Sequence, residues 1–317
     1  MITINSKIYI AGHKGMVGSA CLKVLKNAGY NNIIGKSHSE LDLTNKIAVF
    51  DFIQKENPDA IIDAAAKVGG ILANDNYPYE FLMDNMQIQN NLISAAHNFN
   101  VRKFIFLGSS CIYPKLADQP MKEDFLLNGP LEPTNQWYAI AKISGVKLIE
   151  ALRIQFQKDY VSLMPTNLYG PNDNFNLETS HVMPAIMRKF HEAKIQGKES
   201  VTLWGSGSPK REFLHVYDLG NAVLFALENV MNKSLYNVGS GVDLSIKNLS
   251  EILSQCIGFN GKIIWDKSKP DGSPKKLMDS SRLESLGWQP KISLKSGISS
   301  TYQWFLKNQG NFRSLSF

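Results

Sequence analysis

The chain has little that would tie it to a membrane, a disulfide framework or a nucleic acid. No stretch of its 317 residues approaches the roughly 18 consecutive apolar residues that a membrane-spanning helix needs. Its three cysteines, Cys21, Cys111 and Cys256, are odd in number, far apart and outside metal-ligand spacing. That pattern predicts a reducing compartment, no structural disulfide and no metal site. The net charge of +6 comes from scattered Lys and Arg rather than a basic stripe, so nucleic-acid binding is not expected. Anionic small molecules remain compatible with it. Met1 to Tyr9 lacks the apolar core of a signal peptide, and the expectation is a soluble, cytoplasmic protein. Repeats, low-complexity tracts and long linkers are also missing.

What is present is an alternation of strand-like and helix-like segments. Strands are predicted over residues 7–11, 32–35, 60–63, 103–107 and 160–164, and helices over 16–28, 46–56, 79–99 and 136–156. Such alternation predicts an α/β fold of Rossmann type, a doubly wound parallel sheet with helices on both faces and ligands beyond the carboxyl ends of the strands. After Met164 the pattern loosens into a turn-rich loop over 165–176. Further helices over 182–193 and 216–229 and strands over 201–204 and 236–239 follow. The expected organisation is a dinucleotide-binding domain over 1–169, to which 213–241 returns, and a smaller C-terminal substrate-binding lobe over 170–212 and 242–317.

The motifs fall at the predicted strand ends. Gly12-His13-Lys14-Gly15-Met16-Val17-Gly18 follows a strand and opens a helix. Its glycines permit a tight turn and close approach of a pyrophosphate, and the helix start offers free N–H groups. The second strand ends without the acid that usually holds the ribose hydroxyls of NAD. It runs into Gly35-Lys36-Ser37-His38 instead, cations that, with Lys14, suit the 2′-phosphate of NADP. Asp42 is a low-specificity candidate for an adenine contact. Tyr138 and Lys142 stand four apart on one helix and share a face, so a phenol and an ammonium meet at one site. The neighbouring cation is expected to lower the tyrosine pKa. Gly108-Ser109-Ser110-Cys111 leaves the fourth strand. There Ser109 can bond a substrate oxygen, while Cys111 reads equally as an acid/base thiol or a small buried apolar residue. His181, from position alone, is more often a structural hydrogen-bonder. Lys189, Trp204, Arg211 and Lys276 read as core and surface residues or as a pocket for a nucleotide diphosphate.

Taken together, these pieces resemble the extended short-chain dehydrogenase/reductase superfamily with its Ser…Tyr-x-x-x-Lys set. Within it the chain resembles the GDP-sugar 3,5-epimerase/4-reductases. The runs that carry this are 11–20, 64–71, 107–115, 131–135, 164–175, 204–207, 211–215, 269–272 and 300–305, which extend over nearly the whole sequence. The resemblance implies NADPH-dependent 3,5-epimerisation and 4-keto reduction of GDP-4-keto-6-deoxy-D-mannose to GDP-L-fucose. It implies Cys111 as base and His181 as acid of the epimerisations. Ser109 and Tyr138 would polarise the C4 oxygen, and Lys142 would hold the nicotinamide ribose and depress the tyrosine pKa. NADP would contact Gly12 through Gly18, Lys36, Leu107, Gly108, Ser109, Ser110, Lys142, Pro165, Thr166, Asn167, Leu168 and His181. The GDP-sugar would contact Lys189, Trp204, Arg211, Asp271 and Lys276. The resemblance also implies a homodimer through residues 79–99 and 136–157. Lys14 and Lys36 stand where the family pattern has Arg, which keeps charge and loses bidentate contact. Trp137 is bulkier than the pattern. Rival readings are a GDP-sugar enzyme with a different deoxyhexose product, a C4-epimerase, and a catalytically silent NADP-binding regulator.

Overall fold

The computed structural model describes residues 2–309 apart from 178 and 270. Glu178 of the His181 loop, Pro270 of the 269–272 run and the end of the C-terminal lobe from residue 310 therefore lie outside the described residues. The order of elements is β1 (Ile8–Ala11), α1 (Met16–Asn27), β2 (Ile33–Ile34), α2 (Lys46–Glu56), β3 (Ala60–Asp63), α3 (Ile71–Asn76), α4 (Pro78–Asn98), β4 (Lys103–Leu107), α5 (Gln136–Phe156), β5 (Asp159–Pro165) and β6 (Asn167–Tyr169). There follow α6 (Val182–Ile195), β7 (Ser200–Trp204), β8 (Lys210–His215), α7 (Val216–Glu228), β9 (Leu235–Val238), β10 (Asp243–Ser245), α8 (Ile246–Ile257), β11 (Lys262–Asp266), β12 (Lys275–Lys276), α9 (Ser281–Glu284) and α10 (Leu294–Lys307).

Among the described residues six strands pair in parallel in the order β2-β1-β3-β4-β5-β9. Strands β1, β3 and β4 are buried throughout, because helices cover both faces of the sheet. Alternate residues of each strand face opposite layers. Tyr9, Ile61, Phe104 and Phe106 join the layer covered by α2, α4 and α5. Ile10, Ile62, Ile105 and Leu107 join the layer covered by α1 and α7. The helices expected over 46–56 and 136–156 form over those residues. Asn45 starts the first by accepting from the Ala48 amide at 3.1 Å, and Asn57 ends it at φ 44°, an αL stop that Asn tolerates.

A third apolar cluster joins α6, α8 and α10 with β7 and β8. Five strands here were not expected from the sequence: β8, β11 and the short β6, β10 and β12. Strand β6 lies inside the segment read as a turn-rich loop, and β10 and β12 are equally short. These three short strands pair with β8, β10 antiparallel and the other two parallel. Their pairing is wholly long-range, so local sequence preference did not reveal it. The six-residue α3 was also not expected, being too short to show a helical period. Among the described residues no helix is long and apolar enough to cross a membrane.

Candidate active site

The glycine turn is built for a dinucleotide. Gly12 has φ +76°, and a Cβ there would come within 2.8 Å of the Ala64 carbonyl. A Cβ on Gly18 would collide with the backbone carbonyl of Gly12. Only glycine lets α1 begin this close to the β1 and β3 ends. No side chain caps α1 at Gly15, so its first N–H groups face outward for an anion, and buried His13 Nδ1 lacks a partner among the described residues. These features fit NADP. Lys14 is exposed and Lys36 half-buried at the cradle's edge. The structure also reveals Glu40, an acid the sequence reading passed over. Its carboxylate accepts from the Ser37 amide at 2.8 Å and from the Ser37 hydroxyl, which hold it down to about 2, and it lies 3.7 Å from Lys36. Asp42 is taken up by the Thr44 amide and hydroxyl at 2.9 and 2.8 Å.

Beyond β4, Ser109 caps a 3₁₀ turn over 110–112, its Oγ accepting from the Cys111 amide at 3.4 Å. This turn points buried Cys111 toward α5. Lys142 is fully within the protein, its Nζ donating to the Leu107 carbonyl at 3.0 Å and lying 4.7 Å from the Phe106 ring centroid. One helical turn earlier, the Tyr138 ring centroid is 5.8 Å from the same Nζ. Cys111, Tyr138 and Lys142 interact electrostatically, so the structure does bring these three together.

The expected lowering of the Tyr138 pKa does not occur. Burial pushes the phenol well above its ordinary value, and Cys111 and Asp63 push it the same way. The i,i+4 spacing located the ammonium correctly, but removal from water outweighs its charge. Burial likewise raises the Cys111 thiol, against the Ser109 hydroxyl and the charges of Lys276 and Lys142. His181 stands at the N-terminus of α6 with accessible surface, yet the protein crowding its ring lowers its pKa.

The remaining candidates form a second group on the C-terminal elements. Exposed Trp204 ends β7, with Lys189 Nζ 5.7 Å and Lys269 Nζ 5.5 Å from its ring. Lys269 was not singled out from sequence, although it opens one of the recognised runs. Asp271 accepts from the Ser206 amide and hydroxyl at 2.6 and 2.7 Å and faces Arg211. Lys276, on β12, interacts with both Arg211 and Cys111. It therefore links this group to the Cys111–Tyr138–Lys142 centre. Pro165 and Thr166 are buried at the end of β5, and Asn167 donates to the Glu212 carbonyl at 2.8 Å.

Fold and site together define a dinucleotide-dependent enzyme of the Rossmann type. Residues 8–239 match the NAD dependent epimerase/dehydratase family, and the chain belongs to that family. It is 56% identical over 308 residues, 97% of this chain and 94% of the other, to putative GDP-L-fucose synthase 2 of Arabidopsis thaliana. It is 51% identical over 316 residues, 97% of this chain and 98% of the other, to the GDP-L-fucose synthase of Escherichia coli K12. The crystal structure of a GDP-L-fucose synthetase from Naegleria fowleri bound to NADP superimposes with a TM-score of 0.90 at 27% identity, covering 99% of this chain and 98% of that one.

The cradle makes a direct prediction. Gly18→Ala should weaken NADPH binding at least ~10-fold, the effect of losing about 1.4 kcal/mol of contact. Fluorescence titration of the folded variant measures it, and wild-type affinity would remove the turn from cofactor binding.

Proposed function

We propose that this chain catalyses the NADPH-dependent 3,5-epimerisation and 4-keto reduction of GDP-4-keto-6-deoxy-D-mannose to GDP-L-fucose. The carrying observation is a thiol inside a reductase centre: Cys111 interacts with both Tyr138 and Lys142. A reductase needs Ser109, Tyr138 and Lys142 alone. The added thiol supplies an acid/base group for the carbons flanking the carbonyl.

In this reading the C4 ketone acidifies the protons on C3 and C5. Cys111, as thiolate, removes one of them, and the electron pair moves into an enolate whose oxygen is held by the Ser109 and Tyr138 hydroxyls. His181 returns a proton to the opposite face, inverting the carbon. The positive charges of Lys142 and Lys276 work against the burial that raises the thiol. Burial keeps Tyr138 protonated, so it has a proton to give to the C4 oxygen during reduction. NADP(H), when bound, supplies hydride chemistry at C4. Gly12 through Gly18, Lys36, Leu107 through Ser110, Lys142 and Pro165 through Leu168 would hold it, with His181 at its edge. Trp204, Lys189, Arg211 and Asp271 would take the GDP portion. Lys276, between Arg211 and Cys111, can serve a phosphate and the thiol.

The same reading assigns cofactor binding to residues 1–169 with 213–241, and substrate binding to 170–212 and 242–317. It places the protein in the cytoplasm, in keeping with three free cysteines. It also makes the protein a homodimer through α4 and α5, which expose Tyr79, Met83, Trp137 and Ile140. Sedimentation should then give twice the 35.4 kDa chain mass, whereas a monomer at micromolar concentration would reject this interface.

Purified protein should consume NADPH one-for-one with GDP-4-keto-6-deoxy-D-mannose and release GDP-L-fucose. Absence of turnover with both at saturation would refute the assignment. Cys111→Ser should slow solvent deuterium entry at C3 and C5 by roughly 10²–10⁴-fold, the usual worth of an acid/base group. Tyr138→Phe should lower NADPH oxidation by a similar factor and leave that exchange measurable. Undiminished exchange in the serine variant would take the base role from Cys111.

A further inference from the structure

Asp63 ends β3 and has no solvent exposure. By strand alternation it faces the same layer as Ile61, the one covered by α2, α4 and α5. Its register partners are Ala11 of β1 and Phe106 of β4. Phe106 is the residue whose ring lies 4.7 Å from Lys142 Nζ. The carboxyl therefore opens onto the space that holds the Lys142 ammonium. One oxygen, Oδ1, accepts from the Ala65 amide at 3.2 Å and shapes the turn against Gly12. The other, Oδ2, is buried and has no hydrogen-bond partner among the described residues. A carboxyl oxygen left this way costs stability, and an apolar residue at the strand end would avoid that cost.

We propose that Asp63 is a positioning residue for the reduction, the buried counter-charge that keeps Lys142 an ammonium and Tyr138 a proton donor. The inference rests on the reductase reading of Tyr138 and Lys142. The groups facing Asp63 are Lys142 and Tyr138 from α5 and Tyr9 from β1, and Cys111 acts on the same Lys142 from the turn after β4. Burial raises the Asp63 carboxyl to about 6 while Lys142 pulls it back. Burial lowers Lys142, and Asp63 and Cys111 hold it up.

The sign of the effect is fixed. Asp63→Asn keeps the acceptor for the Ala65 amide and removes the charge. Lys142 then loses a group that holds its proton on, and Tyr138 loses a group that keeps it protonated, so both deprotonate at lower pH. The alkaline limb of kcat/KM for NADPH oxidation should move down by about one pH unit, the ordinary size of a nearby-charge effect. An unmoved limb, or a loss of rate equal at every pH, overturns the proposal. A second measurement needs neither that variant nor turnover. The Asp63 carboxyl carbon, assigned by NMR through its connectivity to Ala64, should titrate near 6 in the wild-type protein. In Lys142→Met its midpoint should rise by about one pH unit, because a favourable charge is gone. An unchanged midpoint overturns the coupling, whereas a wild-type protein that fails to oxidise NADPH overturns only the substrate reading.

Discussion

The hydrogen bond from Lys142 to the Leu107 carbonyl is the constraint on which the site depends. Drawing an ammonium into a protein costs several kcal/mol even after relaxation. The strand-end carbonyl and the Phe106 ring beneath the charge offset part of that, the ring contributing about 0.5–2 kcal/mol. The bond fixes α5 against the carboxyl end of β4. Tyr138 lies one turn earlier on α5, and the Ser109–Cys111 turn leaves the same strand. A single contact therefore sets the phenol, the hydroxyl and the thiol relative to one another. Rigid elements hold all three, which is what proton transfer over hydrogen-bond distances requires.

Much of the fold could be read from the chain because its central strands and long helices carry local signals. Asn45 caps α2 from within a few residues, and the largely apolar central strands announce a covered parallel sheet. The short strands around β8 carry no such signal. Lys275-Lys276 looks like exposed polar chain until it pairs with Lys210 and Arg211. The site was legible in the same proportion. Tyr138 and Lys142 are neighbours by helical geometry, so spacing alone joined them. Cys111 and Lys276 meet only through tertiary structure. Asp63 reads locally as an ordinary polar strand terminus, and only the β3–β4 register sets it opposite Phe106. Burial was the least legible quantity, which is why the direction of the Tyr138 shift was misjudged.

Glu212 shows how the two parts of the site are kept in step. It is fully buried on β8, between Arg211 and the strand's apolar residues. Its carboxylate accepts from the amides of Gly241 at 2.8 Å and Met278 at 3.0 Å. The first follows β9 of the central sheet, and the second follows Lys276. Its own carbonyl takes the Asn167 side chain at 2.8 Å. The Glu212 carboxylate thus pins the end of the sheet and the strand bearing Lys276, and its backbone carbonyl holds the β6 segment. Burial raises this carboxyl, and the amide donors oppose the rise by favouring its charged form. Losing the Met278 amide would leave the second carboxylate oxygen short of a partner, which ties β8 to the segment after Lys276.

The electrostatics also order the chemistry. Burial favours the neutral thiol at Cys111, and the protein crowding the His181 ring favours its neutral imidazole, so neither is poised by these surroundings alone. The charges favouring a thiolate are the ammoniums of Lys142 and Lys276, and the second also faces Arg211 in the pocket proposed for the diphosphate. In the proposed mechanism, activation of the thiol is therefore electrostatically linked to the region where the nucleotide would sit. Once formed, a thiolate raises the neighbouring phenol further, because Cys111 and Tyr138 repel as anions. In the proposed mechanism this favours retention of the Tyr138 proton while Cys111 is a thiolate. The phenol of that mechanism keeps its proton through the enolate stage, hydrogen-bonded to the C4 oxygen, and gives it up when reduction makes that oxygen a more basic alkoxide. Within it burial, which defeats the simple expectation of a low tyrosine pKa, reserves the Tyr138 proton for the last step.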